Sequence, residues 1–154
     1  MGKKEDIKQF TKELENLKFD KMYEGDFFLT WEKSRDELDA TFIVADALRA
    51  MREANISPKS WDSGIAVSNF RDNSTRTRFS YASACNFLGL EEQVFDEGKS
   101  QVAHGETVME TANMISFMAD VIGIRDDMYI GKGDAYMAEV SESVHQSYEY
   151  GVLD

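Results

Sequence analysis

The chain is poor in the residues that carry covalent and metal chemistry. Among 154 residues it has one cysteine, one proline and two histidines. The single cysteine, Cys85, excludes a disulfide within the chain, and its small apolar neighbours predict a buried residue. Two histidines offer few partners for a nucleophile that needs a neighbouring base. No spacing of histidine, cysteine and acidic residues resembles a metal-binding constellation, so we expect neither a metal nor a cofactor.

Long apolar stretches and excess positive charge are also missing. No apolar run approaches the ~20 residues that cross a bilayer, and the N-terminal residues lack the apolar core of a secretory signal. We therefore expect a cytoplasmic protein without a membrane partner. The net charge is −12, from 29 acidic and 17 basic residues. This charge argues against a nucleic-acid partner, because nucleic acids bind basic surfaces. An anion site must then be local, and the sequence offers one cluster of arginines for it: Arg71, Arg76 and Arg78.

The order of the predicted elements indicates an α/β domain, with a small parallel sheet flanked by helices in three layers. Strands and helices are expected to alternate at about 64–69, 76–88, 93–95, 107–119, 120–124 and 135–148. This alternation is typical of a parallel sheet whose helices cover both faces.

The first third of the chain predicts helices without strands. Apolar residues recur at helical spacing over 5–18, which favours a peripheral helix. Residues 19–33 mix aromatic and charged side chains and give no firm assignment. A capping box, with Ser34 at the cap and Glu37 three residues later, predicts a long helix that extends to about Glu53. We therefore divide the chain into an N-terminal segment, 1–33, and a domain, 34–154.

Hydroxyl and guanidinium groups follow the first predicted strand of that domain. The five residues Ser74-Thr75-Arg76-Thr77-Arg78, here called the pentad, open the next helix. The free amides of a first helical turn and the helix dipole favour an anion at this end. Hydroxyls can donate to its oxygens, and arginine forks match phosphate oxygens in pairs. The pentad therefore predicts a phosphate site, and a solvated helix cap is the alternative.

The pentad after an apolar strand resembles the carbamoyl-phosphate signature of the aspartate/ornithine carbamoyltransferase family. Residues Ser100 to Thr107 are similar to the loop that opens the next helix in that family. Residues Asp120 to Arg125 are similar to its following strand, which ends in an arginine. The three motifs keep the family's order within residues 34–150. In the family a fourth strand and an amino-acid-binding domain follow, and we expect both to be absent from this chain.

The resemblance implies a role for each matching residue around carbamoyl phosphate. Ser74 and Thr75 would donate to phosphate oxygens. Arg76 would bridge the phosphate and the leaving oxygen. Thr77 and Arg125 would hold the carbonyl oxygen. By this resemblance Arg76, Thr77 and Arg125 are the expected catalytic residues.

The loop motif implies a site shared between subunits. Members of the family carry lysine or histidine at the position of His104, and this loop reaches into the neighbouring subunit of a homotrimer. The resemblance thus adds Gln101 and His104 to the substrate-binding residues, although a solvated loop histidine is the alternative. Arg78 could touch the ligand or brace the turn through an ion pair, and Glu106 is expected to be structural, with an arginine of the pentad as a candidate partner.

The implied reaction transfers a carbamoyl group from carbamoyl phosphate to an amino group of an amino acid or a related amine. The acceptor cannot be read here, because its site lies in the second domain of the family. The charged approach Arg71-Asp72-Asn73 is most similar to the knotted carbamoyltransferase branch. One alternative is a non-catalytic phosphate-binding or regulatory module of the same fold. A flavodoxin-like or nucleotide-binding domain is less favoured, because the turn has no glycine-rich phosphate loop.

Overall fold

The computed structural model describes residues 3–23 and 25–149 of the chain, with the side chains of 8–23 and 25–146. The chain forms two compact units, Met1–Pro58 and Lys59–Asp154. The boundary predicted at 33/34 stays a prediction, and the long helix placed after it lies within the first unit. Residues 150–154 of the predicted domain lie outside the described residues.

The first unit is helical. Helix α1 spans Lys3–Leu14 and packs against helix α2, Arg35–Glu53. Helix α1 therefore ends earlier than the predicted 5–18. The predicted capping box is confirmed, because the Ser34 hydroxyl accepts from the Glu37 amide while the Glu37 carboxylate accepts from the Ser34 amide. Between the helices, 19–33 contains two short 3₁₀ turns.

The second unit contains the parallel sheet. Its elements are β1 Ile65–Phe70, α3 Thr75–Leu88, β2 Glu91–Val94, α4 Val108–Ser116, β3 Val121–Arg125 and α5 Lys132–Glu149. The strand order is β2-β1-β3, and β1 pairs in parallel with both neighbours. This arrangement confirms the predicted α/β class and the order of the elements.

Helices cover both faces of the sheet because alternate residues of β1 point to opposite sides. Ala66 packs with Cys85 of α3 and with Leu90. Cys85 is only 4% exposed, which confirms the expected buried cysteine. On the other face Val67 and Asn69 line a small cavity together with residues of α4 and α5. The unit therefore has three layers, as predicted.

Helix α3 approaches β3 closely at a glycine. A Cβ atom at Gly123 would lie 2.6 Å from the ring of Tyr81. The Tyr81 hydroxyl donates to the carbonyl of Val67 at 3.0 Å, and its ring meets Phe70 edge-on at 5.5 Å. These contacts hold α3 over the carboxyl half of β1, where the pentad begins.

Candidate functional site

The pentad forms the first turn of α3, directly after the central strand. Ser74 is the N-cap, and its hydroxyl accepts from the Thr77 amide at 3.2 Å. Thr75 and Arg76 are exposed, and within the described part of the chain their side chains make no hydrogen bond or ion pair. The pentad is therefore a helix cap that also presents a free guanidinium and free hydroxyls next to the end of β1.

Arg78 braces the turn. Its Nη2 donates to the carbonyl oxygen of Phe70 at 2.9 Å, and the guanidinium lies 5.8 Å from the Phe70 ring centre. The brace predicted for Arg78 is thus present, but its partner is a carbonyl oxygen at the end of β1, not an acid. The reason is geometric, because four residues separate β1 from α3 and the fourth residue of the helix, Arg78, reaches back to the strand end.

Arg125 ends β3 beside the end of β1, since Phe70 and Arg125 are partners in the ladder. The Arg71 amide donates to the Arg125 carbonyl at 2.9 Å, which extends the pairing into the turn before the pentad. The Nη2 atom of Arg125 pairs with Asp127, whereas its Nη1 is buried and has no partner among the described residues. An unsatisfied buried donor is costly, so Nη1 is suited to a ligand oxygen.

Arg71 does not join the predicted arginine cluster. Its Nε lies 3.0 Å from Glu97 Oε1, and its Nη1 lies 3.0 Å from Asp126 Oδ2. The guanidinium also lies over the Tyr136 ring, 3.8 Å from its centre. Two acids and an aromatic face occupy its donors, so the expectation that Arg71 helps to bind an anion is wrong.

Glu97 is the acceptor on which this cluster converges. The Asn69 side chain donates to Glu97 Oε1 at 3.1 Å and to the Tyr136 hydroxyl at 3.0 Å, and that hydroxyl donates to Glu97 Oε1 at 3.0 Å. Burial alone would raise the pKa of Glu97, but hydrogen bonds from Arg71, Asn69 and Tyr136 outweigh it and hold the pKa below its usual value. Burial, with the negative charge of Glu97, raises the pKa of Tyr136 to about 12.

The sequence analysis missed this group because its members are far apart in the chain. Arg71 and Asp126 are separated by 55 residues, and Asn69 and Tyr136 by 67. One local signal was present, because an asparagine in an otherwise buried strand needs hydrogen-bond partners.

An open cleft of about 380 Å³ lies at the carboxyl ends of β1 and β2. Its lining includes Asn73, Arg78, Asp96 and Glu97. Ligands of open α/β sheets bind at this end of the strands. Of the pentad, Arg78 borders the cleft, and Arg71 to Asn73 of the turn before the pentad line it as well.

Gln101 and His104 form a 3₁₀ turn, Gln101–His104, in the segment after β2. Both are exposed, and neither side chain has a hydrogen-bond or ion-pair partner in the described ranges. Ser100 caps the turn by accepting from the Val102 amide, and Gly105 ends it with a positive φ of 99°. Their predicted role at a neighbouring subunit stays a prediction.

Helix α4 begins with a capping box that the sequence analysis missed. Thr107 and Glu110 exchange hydrogen bonds in the pattern of a threonine cap followed by glutamate three residues later. Glu106 instead accepts from the Thr111 hydroxyl at 2.8 Å. The expected structural role of Glu106 therefore holds, but within the described residues it has no arginine partner.

Residues 3–23 and 25–149 contain no group of three or more histidine, cysteine or acidic residues that could hold a metal ion. The same residues include no helix whose length and hydropathy would allow it to cross a membrane.

Comparison with known sequences identifies the domain. The family model described as "Aspartate/ornithine carbamoyltransferase, carbamoyl-P binding domain" matches residues 26–147. The "Putative carbamoyltransferase YgeW" of Escherichia coli K12 is 64% identical over 132 residues, covering 86% of this chain and 33% of that protein. The aspartate carbamoyltransferase catalytic subunit of Staphylothermus marinus is 32% identical over 77% of this chain and 38% of its own length. The chain thus spans about a third of the length of these curated relatives.

Solved structures of aspartate transcarbamoylases have the same fold. The catalytic subunit of aspartate transcarbamoylase from M. jannaschii superposes with a TM-score of 0.65 at 25% identity, over 77% of this chain and 38% of that one. Aspartate transcarbamoylase from Trypanosoma cruzi, solved in complex with carbamoyl phosphate, gives a TM-score of 0.63 at 22% identity, over 73% of this chain and 34% of that one. With its motifs, its parallel sheet and these matches in agreement, the chain belongs to the aspartate/ornithine carbamoyltransferase family and corresponds to its carbamoyl-phosphate-binding domain.

Proposed function

We propose that this chain supplies the carbamoyl-phosphate half of a carbamoyltransferase site. The observation that carries the proposal is the pairing of Phe70 with Arg125 at the sheet edge. This pairing sets a buried guanidinium nitrogen, for which residues 3–23 and 25–149 provide no hydrogen-bond partner, beside the turn that leads into the pentad. Carbamoyl phosphate carries both groups that such a site would hold, a phosphate for the N-terminus of α3 and a carbonyl oxygen for Arg125.

The reaction needs charge stabilisation and no covalent intermediate on the protein. A neutral amine attacks the carbonyl carbon of carbamoyl phosphate, negative charge develops on the carbonyl oxygen, and phosphate leaves. We assign the developing oxyanion to Arg125 and Thr77, and the departing phosphate to Arg76, Ser74 and Thr75. Donors that are already oriented at a helix end and a strand end stabilise such charge without reorganising.

The finer features of the site are also proposals. We propose an amino acid or a related amine as the acceptor, because relatives are named for aspartate and ornithine. We propose a cytoplasmic homotrimer in which Gln101 and His104 reach the site of a neighbouring subunit. The exposure of both side chains on a capped turn supports this role.

A calorimetric titration tests the proposal. Carbamoyl phosphate and inorganic phosphate are titrated into the chain and into its Arg76→Ala variant. We expect carbamoyl phosphate to bind more tightly than phosphate, and Arg76→Ala to weaken that binding by at least about tenfold, the scale of one charge-assisted contact.

Arg49→Ala serves as the matched control, because Arg49 is an exposed arginine of the first unit that pairs with Asp46. It should bind as the unchanged chain does. Equal affinity for the two ligands would favour the alternative, a phosphate-binding module without transferase chemistry. Undiminished binding by Arg76→Ala would remove the pentad from the site.

A further inference from the structure

Five side chains between the strand ends form one connected group, here called the strand-end network: Asn69, Arg71, Glu97, Asp126 and Tyr136. Their hydrogen bonds and ion pairs measure 3.0 to 3.2 Å. The network joins four segments of the second unit: the end of β1 with its turn, the loop after β2, the end of β3, and α5. The first three of these segments lead into residues of the proposed site.

The first link runs from the pentad turn to Arg125. Arg71 lies three residues before Ser74, and its guanidinium holds Asp126, whose side chain is only 8% exposed. The Arg71 amide also donates to the Arg125 carbonyl. Arg71 therefore holds the end of β3 against the turn that opens α3 through two contacts, one to the Arg125 carbonyl and one to the Asp126 side chain.

The second link runs from the same guanidinium to the loop after β2. Glu97 accepts from Arg71 Nε and Nη2 and begins a short 3₁₀ turn. The Ser100 hydroxyl donates to the Glu97 carbonyl and accepts from the Val102 amide. Through Ser100, Glu97 anchors the turn that carries Gln101 and His104.

Tyr136 and Asn69 complete the network from α5 and from the sheet. The Tyr136 hydroxyl donates to the same Glu97 oxygen that Asn69 contacts, and the Tyr136 ring supports the Arg71 guanidinium. A planar guanidinium between two carboxylates and a ring has little rotational freedom, and lysine cannot reproduce its fork.

We propose that Arg71, Glu97 and Tyr136 are positioning residues that fix the distance from the pentad to Arg125, and thereby give the site its preference for carbamoyl phosphate over phosphate. The inference rests on the proposed function. Phosphate needs the pentad alone, whereas the carbamoyl group must reach Arg125 at the same time. A shift of about 1 Å between the two is enough to cost a large part of such two-point binding.

Two half-buried hydroxyls of the second unit offer a variant and a control for the test. Tyr136→Phe removes a hydroxyl of the network, and Ser116→Ala removes a hydroxyl that donates to the Asn113 carbonyl within α4, outside the network. Phosphonoacetamide, in which a methylene group replaces the bridging oxygen of carbamoyl phosphate, is the stable probe. The ratio of its affinity to that of inorganic phosphate is measured by calorimetry for each variant, after circular dichroism and thermal unfolding show that the variant is folded.

We expect Tyr136→Phe and Arg71→Lys to lower this ratio by at least about fivefold, mainly through weaker phosphonoacetamide binding, and Ser116→Ala to leave it within about twofold of the wild-type ratio. A purely structural role would weaken both ligands together and keep the ratio. If Arg71→Lys does not fold, Tyr136→Phe decides alone. If the wild-type chain prefers phosphonoacetamide and Tyr136→Phe keeps the wild-type ratio, the positioning role alone is overturned. If the wild-type chain does not prefer phosphonoacetamide over phosphate, the proposed function is overturned as well.

Discussion

Glu97 shows how one side chain responds to its surroundings in this domain. Three donors, from Arg71, Asn69 and Tyr136, stabilise its ionised form and lower its pKa. The pKa of a glutamate in an unfolded chain is about 4.3. Because the folded value is lower, the unfolded state binds a proton first as the pH falls. The stability that Glu97 contributes is therefore complete above about pH 4.3 and is lost as the pH falls through the folded pKa.

Glu97→Gln should accordingly destabilise the chain at neutral pH and not in acid. We expect a loss of about 1–2 kcal/mol at pH 7, because the amide leaves the buried donors poorly satisfied. The free energy of unfolding in urea, measured from pH 7 to pH 3, checks this. The loss should begin to shrink below about pH 4.3, where the unfolded wild-type chain takes up a proton at Glu97, and should shrink further as the pH falls through the lower folded pKa.

Glu139→Gln provides the control, since Glu139 is exposed on α5 and lies outside the network. It should change stability little across the same pH range. A loss for Glu97→Gln that is constant from pH 7 to pH 3 would show that the charge of Glu97 is not what stabilises the network.

The residue scale also shows where sequence reasoning reached its limit at the site. The cap at Ser74 and the brace at Arg78 depend on neighbours within eight residues, so local patterns predict them. The partners of Arg71 lie 26 and 55 residues away, and only the folded sheet brings them together. The sequence therefore predicted that Arg71 is available to an anion, although Glu97 and Asp126 pair with it in the folded chain.

At Gly123 the Tyr81 ring of α3 lies directly against the backbone of β3, and this contact sets the spacing of the two elements. A Cβ atom there would lie 2.6 Å from Cε2 and 2.9 Å from Cζ of Tyr81. The ring cannot easily move aside, because its hydroxyl is bonded to Val67 and its edge meets Phe70.

Gly123→Ala should therefore push α3 away from the sheet and cost about 1–3 kcal/mol, as overpacking does in well-packed cores. Urea unfolding measures the cost. Gly98→Ala is the control, because a Cβ atom at Gly98 meets nothing closer than 3.4 Å. The double variant Gly123→Ala/Tyr81→Leu should recover part of the loss. If Gly123→Ala were as stable as Gly98→Ala, the close approach would not limit the helix.

The element scale is where the sequence predicted most of the fold. Apolar periodicity predicted the order of strands and helices because each element buries one face or a continuous run. The bounds of β2 were displaced, since the sequence indicates about 93–95 and the strand is Glu91–Val94. Its register begins with Ile65 opposite Glu91. Strand β2 begins at Glu91 because its backbone pairs with β1 from that residue on. The exposed edge of the sheet tolerates the charged side chains there, so an apolar pattern does not reveal where the strand begins.

At the scale of the whole molecule, a net charge of −12 requires that the proposed ligand, the anion carbamoyl phosphate, is held by local positive groups. The strand ends supply Arg76 and Arg125, while the acids Glu97 and Asp126 are compensated by Arg71. Gln101 and His104 are exposed and make no side-chain hydrogen bond or ion pair in the described ranges. In the proposed trimer, these two side chains contact the site of a neighbouring copy of the chain.

Mixing two defective variants tests this proposed sharing of sites. Arg76→Ala lacks the pentad guanidinium, and His104→Ala lacks the loop imidazole, so each variant alone should bind phosphonoacetamide weakly. In randomly mixed trimers, about a quarter of the sites would combine an intact Arg76 with an intact His104 from the neighbour, because each has a one-in-two chance. Sedimentation establishes the oligomeric state, and calorimetry then counts tight sites after the mixed chains are exchanged through mild denaturant. Recovery of about a quarter of the sites supports a shared site, whereas tight sites that never return, or a His104→Ala defect in a proven monomer, would assign His104 to its own chain.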